Sequence, residues 1–235
     1  MGVAASLAPR VAPSYAGFMR SAALVVLLAS LVSLTGCQLA GGMAEAYRRN
    51  STRPVDAEYV GLADKSFALI ASADRSIQSE HPQLVEETMR RAARALSNPA
   101  NIPKPSGFVD AEEVIRYTYR TPSWPARDAS KIAEDLGGVQ RLIIVEILEY
   151  RLNEPGNVYE WAGIASGTVS VYEIDGNDPN APAFTTTFNV DFPDDKGFGP
   201  DEIARSAVTT ALLMRMIDRT TWPFFRHEEP YYPKY

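Results

Sequence analysis

In 235 residues there is one cysteine, Cys37, and there are two histidines, His81 and His227. A single thiol excludes an intramolecular disulfide framework, a cysteine-based zinc site and a Cys-x-x-Cys redox centre. Histidines so far apart leave little material for a metal centre, and no metal or cofactor is expected. Positive charge is also in deficit: 23 Lys and Arg face 29 Asp and Glu, a formal charge of −6. That balance argues against a protein that tracks nucleic-acid phosphates, so no nucleic-acid partner is expected. Gly-x-Ser-x-Gly, His-Glu-x-x-His, the phosphate-binding Gly-x4-Gly-Lys loop and Gly-x-Gly-x-x-Gly are all missing. The usual equipment of an enzyme is therefore scarce. What the chain does have is 46% hydrophobic residues and only 22% charged ones, too apolar for a largely disordered polymer. Its length suits one ordinary domain with a real core, or at most two small ones.

The longest apolar run lies near the amino terminus. Arg20 precedes Ala22 to Leu34, and small residues then lead to Cys37. Thirteen residues rise only about 20 Å as a helix, short of a hydrocarbon core of about 30 Å. The length fits the apolar part of a secretory signal and does not fit a permanent transmembrane span. Leu34-Thr35-Gly36-Cys37 resembles a bacterial lipobox. In lipoproteins of that kind the signal is removed just before the cysteine and the sulfur carries a diacylglycerol group. The implied anchor is the membrane itself, held through acyl chains on Cys37; two or more chains give lasting attachment where one does not. Met19 followed by Arg20 is the expected true start of the signal. Gln38 follows the cysteine, a pattern that resembles lipoproteins sent to the outer membrane and facing the periplasm.

Removing residues 1–36 takes away two bases, Arg10 and Arg20, and no acids, so 21 bases then face 29 acids and the charge is −8. Residues 37–58, with Gly41-Gly42, Arg48-Arg49 and Pro54, read as a lipidated tether. A single domain is expected over 59–220, followed by an aromatic-rich tail at 221–235.

Within the domain, Phe67-Ala68-Leu69-Ile70-Ala71 reads as a first strand. Pro82 opens a helix to about Leu96, whose apolar positions Val85, Met89, Ala92 and Leu96 recur at helical spacing. Three prolines make 98–107 a loop. Short helices are expected from Asp110 to Tyr119, with Val114 and Ile115 inward, and from Asp128 to Leu136, closed by Gly137-Gly138. Val139 to Tyr150 is apolar at both parities, so it belongs in the middle of the sheet with both faces largely covered. Val158 to Ile174 is a long strand lightened by Gly163, Ala165 and Gly167, and Phe184 to Phe192 alternates cleanly. Pro200-Asp201-Glu202 opens a last helix to about Ile217, with Ile203, Ala207, Ala211, Met214 and Ile217 as its stripe. The expected fold class is α+β: a mixed, mostly antiparallel sheet with helices packed on one face.

Few residues stand out as sites. His81 reads as a capping or surface residue. Asp175 to Asn180 is dense in turn formers and lacks the ligand spacing of a calcium loop. Asp191, Asp194 and Asp195 form an acidic connection, which leaves an envelope hydrolase as a third hypothesis. Glu146 and Glu149 interrupt the central strand and need partners, with Arg141 and Arg151 the candidates. Six of the last fourteen residues are aromatic. Trp222, Phe224, Phe225, Tyr231 and Tyr232 are thus either a strap across the domain or a contact with a partner or the membrane.

The lipobox, the strand-helix start, the helix ending in Leu136-Gly137 before Leu142-Ile143-Ile144-Val145-Glu146-Ile147, the strand pair and the last helix occur together in one group. Over about residues 60–220 the chain resembles envelope lipoproteins built like the amino-terminal domain of TolB, the curli secretion lipoprotein CsgG and the penicillin-binding-protein activator LpoB. The resemblance implies a non-enzymatic module on an outer-membrane anchor that helps assemble or regulate an envelope complex, with an envelope protein as partner. A ligand-binding or transport-accessory lipoprotein is the alternative, and it requires a defined apolar pocket in the sandwich.

Overall fold

The computed structural model describes residues 51–102, 105–194 and 197–230. Nearly all of them fall in one compact unit, Arg53–Glu229. The chain enters through a short strand, β1 (Thr52–Val55), inside the stretch read as tether. The apolar run Phe67–Ala71 lies in β2 (Ser66–Ala73) and is almost sealed from solvent. Helix α1 (Arg75–Glu80) follows directly. It has one buried side chain, Ile77, so no periodicity announces it in the sequence. Helix α2 (Leu84–Ser97) buries Met89, Ala92 and Leu96 as their spacing predicts, with Glu86 and Glu87 in its first turn and Arg94 in its last.

After the two-residue strand β3 (Gly107–Phe108), Asp110 caps α3 (Ala111–Arg120) by accepting the Glu112 N–H at 2.8 Å. Val114 and Ile115 face inward, as expected. A 3-10 turn at Trp124–Ala126 leads to α4 (Ala129–Asp135). Gly137 and Gly138 end it with φ of +90° and +73°, a left-handed pair that only glycine adopts without strain. Three long strands then form a meander: β4 (Arg141–Arg151), β5 (Gly163–Glu173) and β6 (Pro182–Phe192). Helix α5 (Arg205–Thr221), a 3-10 turn at Trp222–Phe224 and β7 (His227–Pro230) end the described part of the chain, and β7 pairs with β1 in a two-stranded ribbon.

The main sheet runs β3-β2-β4-β5-β6. Its β2–β3 and β2–β4 pairs are parallel, and its longer β4–β5 and β5–β6 pairs are antiparallel. The fold is α+β, and β4 lies at its centre. Register places Leu69, Ile143 and Val171 on one face, which α2 and α5 cover. The opposite face carries Ser72, Glu146 and Thr168. Only its first part is sheltered, by α4 and the turn before it, so Leu148 is 55% exposed. The expectation that both faces of β4 are largely covered holds for the first half of the strand alone.

Gly167, one of the small residues that lighten β5, is a point of close approach. A Cβ there would stand 2.1 Å from the Glu146 carbonyl oxygen and 2.6 Å from the Phe188 ring. The β4 register slips opposite this stretch, between Ile147 and Glu149, leaving Leu148 in the irregularity. Two boundaries differ from expectation. Strand β5 begins at Gly163, and Val158 to Ala162 belong to the preceding loop. Pro200 to Ile203 form a separate turn, with the Glu202 and Ile203 N–H groups donating to the Gly199 carbonyl, and α5 begins five residues after Pro200. A stripe phased on Ile203 therefore holds only at its end, where Ile217 is buried: Ala207 is exposed and Met214 is 54% exposed, while Val208, Leu212 and Met216 take the inward face.

Candidate functional site

Six aromatic residues crowd the last fourteen, and the structure describes three of them. Trp222 and Phe225 are half-buried; Phe224 is 4% exposed and belongs to the core. The Phe224 ring lies 5.9 Å from Tyr59 in an edge contact and 6.3 Å from Phe184. The Pro223 carbonyl accepts the N–H groups of both Glu58 and Tyr59 at 2.9 Å. The segment 222–230 is thus a strap bonded to the segment through which the chain enters. As a partner contact, Phe224 offers no exposed ring. Tyr231, Tyr232 and Cys37, the residue expected to carry lipid, lie outside the described residues, as does Asp195.

An ionic clasp backs the ribbon. Glu229, with its side chain 9% exposed, accepts from Arg219 at 2.5 Å and lies 3.5 Å from Arg53. The His227 ring stacks on Trp222 with centroids 4.6 Å apart at 15°, and Nδ1 sits 3.0 Å from the Phe225 carbonyl. Its Nε2 is sealed from solvent 3.5 Å from Glu229, without hydrogen-bond geometry. His81 is the C-cap of α1, packed edge-on against Tyr150 at 4.8 Å, and burial lowers its pKa.

A second polar cluster lies where β4 begins and β5 ends. Arg141, 6% exposed, donates to the Gly61 carbonyl at 3.0 Å and to the Gln140 carbonyl at 2.7 Å, and is paired with Asp175. Lys65 reaches the other Asp175 oxygen at 2.6 Å, and Tyr59 donates to Glu173 at 2.8 Å. Hydrogen bonds from Lys65 and then Arg141 hold the Asp175 carboxyl at about 2. Burial raises the Tyr59 pKa. Sequence reasoning missed this network because its members are more than 70 residues apart in pairs such as Tyr59 and Glu173. The one signal was the charge at Arg141 just before the apolar run Leu142–Val145.

The remaining candidates fall into place one by one. Asp175 to Asn180 is a hairpin connection in which Asp178 accepts the Asn180 N–H and Asn180 accepts the Ser130 N–H. Asp194 is gripped by both terminal nitrogens of Arg215, at 2.7 and 3.1 Å, and Arg215 also donates to the Asp191 carbonyl. The Asp191 side chain is exposed on β6 and borders, together with Asp194, a cleft that Arg151, Glu160 and Trp161 also line. Glu149 finds Arg151 at 2.7 Å, as anticipated; Arg141 does not serve Glu146. Among the described residues, no group of three or more His, Cys, Asp or Glu could hold a metal ion. Nor is any described helix long and apolar enough to cross a membrane.

No protein-family model matches the chain, and no curated protein matches it. Solved structures do. A PelC dodecamer from Paraburkholderia phytofirmans is 12% identical, over 75% of this chain and 99% of that one, at a TM-score of 0.43. Lipoprotein GNA1162 from Neisseria meningitidis is 9% identical, over 66% and 96%, at 0.42. The rare lipoprotein B from Shewanella oneidensis is 13% identical, over 66% and 89%, at 0.29. The structural neighbours thus include bacterial lipoproteins.

Proposed function

We propose that this protein is a lipoprotein of the bacterial cell envelope, anchored through acyl chains on Cys37, that acts without catalysis to assemble or regulate an envelope complex. The observation that carries the reading is the order basic residue, short apolar run, Leu34-Thr35-Gly36-Cys37, then a folded unit that opens at Arg53. Fifteen peptide units run from Cys37 to Thr52, so a fully extended chain spans at most about 54 Å from anchor to fold. The strap supports the same reading. A domain pulled by its tether needs the entering segment fixed, and Pro223, Phe224 and Glu229 fix it. Gln38 after the cysteine favours the outer membrane and a periplasm-facing domain. Partner binding falls to the half-buried Trp222 and Phe225 and to Tyr231 and Tyr232 beyond them.

The Arg215 fork on Asp194 weighs against an envelope hydrolase at that loop, because a carboxylate held by a permanent cation is a poor proton carrier. The test is stoichiometry in the envelope. Photo-crosslinking from position 222, in cells making the full chain, is expected to yield one defined adduct with an envelope protein, lost on Cys37→Ser. Adducts of random mass, unchanged by that substitution, would contradict an anchored assembly module.

A further inference from the structure

Glu146 stands near the middle of β4 on the sparsely covered face. Its carboxylate meets neither a hydrogen-bond donor nor a cation among the described residues. The arginines expected to serve it are engaged elsewhere, Arg141 with Asp175 and Arg151 with Glu149. The carboxylate borders a cleft of about 310 Å3, floored by Ser72, Ile144 and Tyr172 and walled by Trp124 and Ile132. The other charges at the cleft are already matched. Arg127 donates to Asp135 at 2.5 Å and to the Tyr117 hydroxyl at 3.2 Å, and Asp128 lies 3.0 Å from Lys131. One unmatched negative charge therefore remains, in a cleft that two aromatic side chains also line. Neither the Trp124 indole N–H nor the Tyr172 hydroxyl is hydrogen-bonded among the described residues, and the indole nitrogen is not sealed from solvent.

A cleft lined by a carboxylate and by aromatic side chains favours a cation with a hydrogen-bonding or polarising head, because the charge and the ring quadrupoles both attract it. A lone carboxylate does not satisfy a metal ion, which takes several oxygen ligands. The volume lies at the small end of binding clefts, enough for one compact group. We propose that this cleft binds an organic ammonium or guanidinium group, with Glu146 as its counter-ion and Trp124 and Tyr172 as its walls. The group arrives on a free amine or guanidine, or on a lysine or arginine of a partner protein. The site stands whether or not the chain is lipidated.

The test is a titration of the 15N-labelled full chain in nonionic detergent. The probes are N-acetyl-lysine amide, N-acetyl-arginine amide and tetramethylammonium chloride; N-acetyl-glutamine amide and sodium chloride control for polarity and ionic strength. Saturable shifts are expected at the Trp124 indole N–H and at the backbone of Glu146 and Tyr172. Glu146→Gln is expected to weaken them about tenfold, the equivalent of one charge-assisted hydrogen bond. Glu149→Gln, whose carboxylate already has Arg151, is expected to leave them unchanged. Saturation by all three cations supports a site open to free cations, and saturation by the two amides alone supports a partner's side chain. Equal binding in Glu146→Gln, or no saturable shift at Trp124 with any cation, would overturn the proposal. Preserved dispersion of the remaining amide signals shows that each variant is folded.

Discussion

Tyr59 meets Phe224 edge-on, with ring centroids 5.9 Å apart at 84°, so the segment entering the domain is packed against the segment leaving it. Phe184 of the edge strand β6 closes the cluster, 5.4 Å from Tyr59. Three parts of the chain more than 30 residues apart thus share one apolar contact.

Truncating that contact leaves a cavity that the ribbon cannot refill. Phe224→Ala is expected to cost about 3 kcal/mol, the scale for a large aromatic lost from a core. Urea unfolding of the full chain in nonionic detergent reads it directly. A loss below about 1 kcal/mol would mean that the strap is not part of the cooperative unit.

Glu229 is the hinge of the ionic clasp, and its removal leaves Arg219, Arg53 and His227 facing one another. Glu229→Gln is expected to destabilise by about 1.5–3 kcal/mol, the scale of a charge-assisted hydrogen bond lost at a largely buried acceptor. The ribbon is expected to open first. Limited proteolysis cutting between Arg226 and Glu229 in the variant, and not in the parent, is the readout.

Gly167→Ala forces a methyl against the Glu146 carbonyl, a backbone atom that cannot step aside. Overpacking of this kind costs about 1–3 kcal/mol. Adding Phe188→Leu relieves only the ring contact, so the double variant is expected to recover little of the loss. Full recovery would place the strain on Phe188 alone.

Acid sensitivity is expected to centre on Asp175. Its folded pKa of about 2 lies below the ordinary value, so the folded state binds its proton less readily than the unfolded chain. The contribution is therefore present above about pH 4 and drains away as pH falls toward 2. Asp175→Asn is expected to lower stability by about 1–2 kcal/mol at pH 6, through the loss of a partner for the buried Arg141, and by only a small part of that at pH 2. Denaturant midpoints at the two pH values check the sign. A deficit that grows on acidification would contradict it.

Much of the architecture could be read from local pattern. The Met89, Ala92 and Leu96 spacing, the Asp110 cap, the Gly137-Gly138 stop and the Phe184 to Phe192 alternation each reflect a physical requirement that acts within a few residues. Where expectation slipped, the deciding contact was distant. Helix α5 begins late because Gly199 bonds the residues after Pro200 into a turn of their own. The second face of β4 is open beyond Ile144 because α4 is too short to cover it. The same holds for the sites. The carboxylate on Glu146 was visible as an anomaly, yet only tertiary structure shows that both neighbouring arginines are taken and that Trp124 stands beside it. The core role of Phe224 depended on Tyr59 and Phe184, which no pattern in an aromatic tail can reveal.

The anchor is tested most directly by mass analysis of the amino-terminal peptide, with membrane fractionation of the parent and of Cys37→Ser. Removal of residues 1–36, acyl chains on Cys37 and a parent found in the membrane fraction are expected, with the variant released or left as precursor. An unmodified Cys37 thiol and identical fractionation of the two proteins would contradict the envelope-lipoprotein account.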